Sequence, residues 1–263
     1  MKAVTGVFRS RADAERVMTQ MRSLGIPEDK ITLLTPDKME KNLQSVPNES
    51  AEQPGMGKAI GAVVGAAAGL SGGALLVVAL VPGVGAITAI GLLGAALLTA
   101  AGGSIGAVAG GKLENSMTEG LPEDELFVYE DALRKGRSVV VALVEDEAAA
   151  SRLRELLTVE EAESVDAARE QWWVGLRSAE REHYTTLGKN FDEAEKFYRL
   201  GFEAALHART RCKEYDQVLG EMTAKLEEIE QQYPGANADE PFTKGYERGR
   251  DYYQQICNKP KAA

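Results

Sequence analysis

The chain has 263 residues, which suffices for two domains, and it carries 40 acidic against 30 basic side chains. The formal net charge of −10, without any block of Lys and Arg, argues against a nucleic-acid partner. Between Ala59 and Gly111 there is no Asp, Glu, Lys or Arg, whereas the rest of the chain is rich in charge. We therefore expect an apolar insert between polar segments.

The N-terminal segment predicts a strand, a helix and a second strand. KAVTGVF alternates apolar and polar residues, Ser10 stands at a helix N-cap position, and apolar residues then recur at helical spacing up to Leu24. The run ITLL at 31–34 predicts another strand. Residues 36–57 contain three prolines among polar residues and predict a linker.

The uncharged window together with the lysines at its borders, residues 58–112, predicts a helical hairpin. Helices over residues 59–81 and 84–110, with a turn at 82–83, would each be long enough to cross a bilayer. Glycines recur four residues apart, a spacing that weakens a helix in water but lets helix backbones approach closely in lipid. These helix-packing glycines are Gly57, Gly61, Gly65, Gly69 and Gly73, followed by Gly102, Gly106 and Gly110.

The chain after the window supplies the second half of a folded domain. Its predicted elements are a helix after Pro122, a strand at 138–144, a helix around 149–157 and a weak strand at 163–167. Neither half closes a core alone. Residues 1–35 and 113–168 therefore predict one split α+β domain with a ferredoxin-like sheet (a split βαβ arrangement) and helices on one face.

Three motifs flank the window. They are VFRSRADAE near the N-terminus, LPEDE followed by YEDALRKG, and the valine-rich strand before acidic residues. With the Gly-rich apolar stretch between them, residues 1–168 resemble the heat-induced general stress protein family, in which a glycine-zipper segment interrupts a small α/β module. The resemblance implies a stress association and no catalytic residues, and it does not extend to the C-terminal region.

Residues 169–258 predict an antiparallel helical module, followed by a tail at 259–263. Apolar positions from Ala194 to Tyr233 alternate four and three residues apart, which predicts one helix of about 60 Å. A helix carrying Trp172, Leu176, Ala179 and His183 should face its small half, and a helix after Pro241 should receive its large half. The predicted packing residues of the module are Gly201, Ala205, Gly245 and Gly249.

Two hexapeptides of the module resemble each other, YRLGFE at 198–203 and FTKGYE at 242–247. The shared pattern predicts similar helix packing at the two sites. Arg248 and Arg250 should line a solvated helix face. Three helices would leave part of the apolar seam exposed, which favours self-association or a protein partner.

An incomplete metal motif stands in the module. Glu180 and His183 have the Glu-x-x-His spacing of di-iron bundles, and Glu203 and His207 lie on the next predicted helix. A di-iron site requires two such motifs and two further glutamates, whereas the chain has two histidines in total. We therefore expect His183 to be a packed core histidine, and we predict no catalytic residue, no metal and no other cofactor.

These features together predict a non-enzymatic, self-associating, stress-type protein of the inner (cytoplasmic) membrane. Its glycine-zipper hairpin would contact membrane lipid and build a homo-oligomer, and its helical module would scaffold subunits or a protein partner. Both termini and the soluble domains would be cytoplasmic, because the hairpin ends lie beside Lys58 and Lys112. Two alternatives remain: a soluble cage or filament with hairpins buried between subunits, and an iron-binding helical protein.

Overall fold

The structure is a computed structural model that describes residues 1–36, 76–81, 83–91, 94, 97, 123–211 and 213–258. The chain divides into two compact units. The first comprises Met1–Pro122 with Val128–Ala168, and the second comprises Glu123–Phe127 with Arg169–Ala263. The described residues belong to the α+β class, with an antiparallel sheet in the first unit and a group of helices in the second.

The sheet of the first unit has the strand order β3-β4-β2-β5-β1-β6, and all its pairings are antiparallel. Its strands are β1 Lys2–Phe8, β2 Ile31–Pro36, β3 Leu76–Val81, β4 Gly85–Ile90, β5 Ser138–Val144 and β6 Glu163–Ser164. The predictions of strands at the N-terminus, at 31–34 and at 138–144 are confirmed. The weak strand predicted at 163–167 is present as the two residues of β6.

Strand β5 lies inside the sheet between β2 and β1, and all seven of its residues are buried. Its sequence, SVVVALV, is an almost continuous run of apolar, mostly β-branched residues, which suits a strand that is covered on both faces. Val140 stands opposite Gly6 of β1 and Leu33 of β2. Strand β5 therefore joins the two N-terminal strands, which do not pair with each other in the described sheet.

Helices α1 (Arg11–Ser23) and α3 (Glu147–Val159) pack on one face of this sheet. Each begins at a capped residue: Ser10 Oγ accepts the Asp13 amide at 3.1 Å, and Asp146 Oδ1 accepts the Ala149 amide at 2.7 Å. Burial of each large apolar side chain contributes roughly 1.5–3 kcal/mol. The buried cluster is Val4, Phe8, Ala14, Val17, Met18, Met21, Ile31, Leu33, Ile90, Val140, Ala142, Val144, Ala150, Leu153 and Leu157.

The opposite face of the sheet is also covered, so the prediction of helices on one face only is wrong. Thr32 and Val141, which lie on that face by strand alternation, are both fully buried. Helix α2 (Leu126–Arg134) contributes Tyr129, whose hydroxyl is 2.9 Å from Thr5 Oγ1 on the same face. The cause lies in β5, which presents apolar side chains in both directions.

Residues 76–81 and 85–90 form a β-hairpin, so the prediction of helices over these residues is wrong. The turn falls at the predicted position, and Gly83 adopts a positive φ of 72° there. Pairing of β4 with β2 buries Ile87 and Ala89 in the sheet, and this tertiary context outweighs local helix propensity. Within the described part of the chain, every helix is too short or too polar to span a bilayer.

The predicted packing glycines of the uncharged window lie outside the described residues, as do residues 37–57 of the predicted linker and the tail, whereas Pro36 is the last residue of β2. These glycines are Gly57, Gly61, Gly65, Gly69, Gly73, Gly102, Gly106 and Gly110. The predicted contacts among them stay predictions.

Four helices lie wholly or mainly in the second unit: α4 Val165–Thr186, α5 Phe191–Ala204, α6 Leu219–Gln232 and α7 Asp239–Asn258. Helices α4 and α5 run antiparallel, since Arg181 pairs with Asp192 near one end and Glu170 pairs with Arg199 near the other. This arrangement, with the tryptophans of α4 against α5, is the one predicted for the first two helices. Trp173 packs edge-on against Phe202 with ring centroids 5.9 Å apart.

The predicted 60 Å helix is wrong, because α5 ends at Ala204 and α6 begins only at Leu219. Side chains satisfy backbone carbonyls in the intervening turns. The Thr210 hydroxyl donates to the Ala204 carbonyl, and Arg211 Nη2 donates to the Leu206 carbonyl at 2.9 Å. The heptad spacing continues through this break in the sequence, so the pattern of apolar residues does not reveal it.

Candidate functional site

Helices α5 and α7 touch through glycines. A Cβ atom on Gly201 would overlap the backbone carbonyl of Phe242, and one on Gly245 would overlap the carbonyl of Tyr198. A Cβ atom on Gly249 would also lie too close to α5, at the carbonyl oxygen of Phe202. A side chain at any of these positions would push the two backbones apart. The absence of a side chain is therefore what this close approach requires.

Helices α5 and α7 run in the same direction. Just before α5, Lys189 Nζ pairs with Glu240 Oε1 at 2.7 Å. Beyond the end of α5, Arg211 Nη1 donates to the Tyr253 hydroxyl at 3.2 Å. The contacts thus advance along both helices together. The prediction that all neighbours in the module are antiparallel is wrong for this pair, because α6 intervenes in the chain and carries it back.

The four predicted packing residues of the module face one another across this pair. Gly201 of α5 and Ala205, directly after α5, lie at the contact with Gly245 and Gly249 of α7. The prediction that the α7 glycines receive the large half of a long helix is wrong, since they contact its small half.

The two similar hexapeptides explain the symmetry of the contact. Tyr198 and Gly201 occupy the same positions in the first hexapeptide as Phe242 and Gly245 do in the second. Each glycine packs on the carbonyl of the other helix's aromatic residue, so the contact is reciprocal. The resemblance thus reflects a shared way of packing, as the sequence predicts.

A buried carboxylate links three helices of the second unit. Glu180 of α4 is 1% exposed, and its Oε2 accepts the Tyr198 hydroxyl at 2.9 Å. Arg248 of α7 donates Nε to Oε2 at 3.0 Å and Nη2 to Oε1 at 3.1 Å. Burial, followed by the charge of Glu180, raises the pKa of Tyr198. Tyr198 therefore acts as a neutral hydrogen-bond donor, and Arg248 neutralises the carboxylate.

The prediction of a solvated face for Arg248 and Arg250 is wrong. The Arg248 side chain is 22% exposed, and two of its nitrogens contact Glu180. Arg250 pairs with Glu214. The sequence does hold a signal for Arg248, because it stands directly before Gly249 and three residues after Gly245. An arginine next to a packing glycine lies close to the contact between the two helices.

Two other metal candidates of the sequence have different surroundings. Glu203 Oε1 accepts Arg199 Nε at 2.6 Å, and Arg199 also pairs with Glu170. His183 is exposed, so the prediction of a packed core histidine is wrong. The neighbouring Tyr184 is buried instead, which shows that the buried face of α4 is rotated by one residue from the predicted seam.

His207, the remaining candidate, lies beside a segment that is distant in sequence. Its Nδ1 is 3.4 Å from Asp124 Oδ1, and its ring stacks on Phe127 with centroids 6.5 Å apart and planes inclined by 21°. The side chain is 18% exposed. Burial lowers the pKa of His207 to about 4, and the charges of Lys225, Arg169 and Arg211 act in the same direction.

The metal candidates thus have separate partners: Glu180 with Arg248, Glu203 with Arg199 and His207 with Asp124. Across the ranges that the structure describes, no group of three or more His, Cys, Asp or Glu side chains is placed to hold a metal ion. An open groove of about 430 Å³ lies between α6 and the start of α7. It is lined by Thr223, Leu226, Glu227, Glu230, Ala236, Asn237, Ala238 and Asp239.

Comparison with known proteins identified no relative of this chain. The chain matches no protein family, no curated protein and no solved structure.

Proposed function

We propose that this protein is a non-enzymatic, self-associating scaffold in which the uncharged, glycine-rich residues beside the β3–β4 hairpin bring copies together. One observation carries this proposal. Leu76, the first residue of β3, stands opposite Ile90, the last residue of β4. The two ends of the hairpin therefore lie side by side, and beyond Ile90 the chain still contacts the sheet at Gly94, which lies close to Ala89 and Thr32. The chain on either side of the hairpin is free of charge as far as Ala59 and Gly111, and both stretches carry glycines four residues apart.

The pairing of β3 with β4 thus brings the two apolar segments to neighbouring points of the sheet. Segments that start from adjacent points in one orientation can present their small residues together to a second copy. Glycines at a spacing of four residues suit close backbone approach, which gains van der Waals contact over a long surface. In water, such segments also gain from leaving the solvent. Self-association is thus favoured in either environment.

The proposal extends to the fold of the first unit, which we assign to a ferredoxin-like domain with an inserted β-hairpin. Support comes from the four strands other than the hairpin, whose order is β2-β5-β1-β6. Helix α1 follows β1 and helix α3 follows β5, so each forms a crossover on the same face. This is the arrangement of two split βαβ units. The insertion enters as strands and not as the predicted pair of helices.

A scaffold role without catalysis is supported by how the second unit uses its polar side chains. Of the four metal candidates in the sequence, Glu180, Glu203 and His207 make contacts that hold helices or turns together, and His183 is exposed. Reactive groups in enzymes are usually poised towards a substrate cavity instead.

A second candidate function places the same protein at the inner membrane as a stress-type anchor. The observation in its favour is the uncharged window with Lys58 and Lys112 at its borders, together with the resemblance of residues 1–168 to the heat-induced general stress proteins. With residues 76–90 in the sheet, Gly94 packed on Ala89 and Leu97 buried, residues 59–75 and 98–111 would be the segments that contact lipid.

The mass of the purified full-length particle tests self-association. We expect light scattering to give a mass of at least two chains of 28.3 kDa each in detergent-free buffer. Gly65→Leu should lower that mass, because the added side chain keeps backbones apart. Val64→Leu is the matched control, since it adds apolar volume one residue away and leaves the glycine spacing intact. A monomeric wild-type protein would overturn the proposal.

Extraction of cell membranes separates the two candidate functions. A scaffold that associates through protein contacts alone should be released by alkaline carbonate, whereas a lipid-embedded protein should require detergent. Retention in the carbonate-washed membrane would favour the anchor.

A further inference from the structure

The residues Glu123–Phe127, called here the docked segment, belong to the second unit although more than 40 residues separate them from Arg169. They are held there by contacts with α4 and with the turns after α5. Phe127 is 3% exposed, and its ring lies 4.8 Å from that of Trp172. The ring of His207 lies 6.5 Å from that of Phe127. Asp124 and Phe127 of this segment thus contact side chains of the helical unit, and Leu126 and Phe127 also form the start of α2.

The histidine contact favours a neutral ring. The His207 ring lies 6.5 Å from the Phe127 ring between centroids, its side chain is four-fifths removed from water, and its Nδ1 faces Asp124. That carboxylate is 62% exposed, so water screens its attraction for a positive ring. The free energy needed to bury a charged imidazole exceeds the stabilisation that this screened ion pair provides.

The charges around His207 come from every element near it. Asp124 of the docked segment is the opposite charge, while Arg169 of α4, Arg211 after α5 and Lys225 of α6 are like charges. Burial is the largest effect on the ring, Asp124 is the largest single charge effect and favours a proton, and the three cations oppose one. Burial and these cations together lower the pKa of His207 to about 4, from an ordinary value of 6.5.

We propose that the contact between His207 and the docked segment is an acid-sensitive latch. It holds Glu123–Phe127 against the helical unit while the imidazole is neutral, and it releases the segment when the imidazole is protonated. Release lets water reach the charged ring, which removes the cost of burying it. The latch is closed at neutral pH and opens in mild acid.

The size of the effect follows from linkage between protonation and docking. The released histidine takes up a proton near pH 6.5, and the docked one does so only near pH 4. Docking therefore has full strength above pH 6.5 and weakens as the pH falls towards 4. Between pH 7.5 and pH 5 the docking equilibrium should change by about 30-fold in favour of release.

Hydrogen–deuterium exchange of the full-length protein tests the latch. The measurement compares protection of a peptide covering Glu123–Phe127 at pH 7.5 and pH 5, after correction for the intrinsic pH dependence of exchange. We expect wild-type protection to fall by about 30-fold while protection of α5 and α7 is retained. Parallel loss of protection throughout the second unit would overturn the latch, because the segment would then not be released separately.

The two histidines of the chain provide the matched variants. His183→Gln removes the exposed histidine and should leave the loss of protection unchanged. His207→Gln removes the buried one and should abolish most of it. An equal loss in His207→Gln would contradict the proposal. If that variant does not fold, proton NMR of the two histidine C2 protons in the wild type, assigned with His183→Gln, decides: the His207 signal must titrate over the same pH range as the exchange.

Discussion

At the scale of single residues, Glu180 illustrates what a buried charge demands of its surroundings. Its carboxylate is 1% exposed and receives three donated hydrogen bonds, from Tyr198 and from two nitrogens of Arg248. A buried ion pair of this kind adds little net stability compared with apolar residues. Removal of one partner, however, leaves the other charge buried without a counter-charge. The arrangement therefore fixes how α4, α5 and α7 meet more than it strengthens the unit.

Arg248→Met should lower the free energy of unfolding by about 3–5 kcal/mol, because Glu180 is left buried without a cation. Urea denaturation followed by circular dichroism gives this quantity. Arg177→Met is the control: Arg177 pairs with Glu195 through two nitrogens, but its side chain is 42% exposed, so the loss should be about 1 kcal/mol or less.

A double replacement separates pairing from packing. Glu180→Met combined with Arg248→Met should be less destabilising than Arg248→Met alone, since no charge is then buried unpaired. A double variant as unstable as the sum of the single variants would show that the two side chains act independently.

At the scale of elements, the α5–α7 contact depends on its glycines. Gly201→Ala should destabilise the protein by about 1–3 kcal/mol, because the new methyl group meets the rigid Phe242 carbonyl and the helices must separate. The same denaturation experiment measures the change.

Gly175 offers a matched control within a helix of the same unit. It lies in α4, and a Cβ atom there would meet nothing within 4 Å. Gly175→Ala should therefore stabilise the protein by up to about 1 kcal/mol through helix propensity alone. Equal effects of the two substitutions would contradict the role assigned to Gly201.

The elements also show where sequence reasoning succeeds and where it stops. The strands β1, β2 and β5 follow from alternation and from a β-branched run, and α1 follows from its cap, because local patterns determine them. The hairpin β3–β4 does not follow, since its apolar run fits a helix equally well until β2 is known to pair with it. Length and absence of charge alone do not distinguish these cases.

The residues of the candidate site were predictable from the sequence, but their partners were not. Gly201, Gly245 and Gly249 stand out in the sequence by their spacing, but their partners depend on the break after Ala204, which heptad spacing conceals. The docked segment has no local signal, because contact between Phe127 and His207 joins residues 80 positions apart. Only the tertiary structure brings them together.

At the scale of the whole molecule, the proposed self-association should be insensitive to salt. The window from Ala59 to Gly111 holds no charged residue, so screening of ions removes none of its attraction. We expect the particle mass to stay constant, or to rise, between about 0.05 and 1 M NaCl, since salt also reduces repulsion among chains of net charge −10. Dissociation at high salt, measured by sedimentation velocity, would point to ion pairs at the interface instead.

The strand order has a consequence for how the chain folds during synthesis. Strand β1 pairs only with β5 and β6 in the described sheet, and β5 begins about 130 residues after β1 ends. A ribosome that adds about 5–20 residues per second needs roughly 6 to 26 s to cover that distance. During this interval the apolar side of β1 and α1 has no strand to rest on. The N-terminal segment therefore keeps the unpaired edges of β1 exposed until the valine-rich strand emerges.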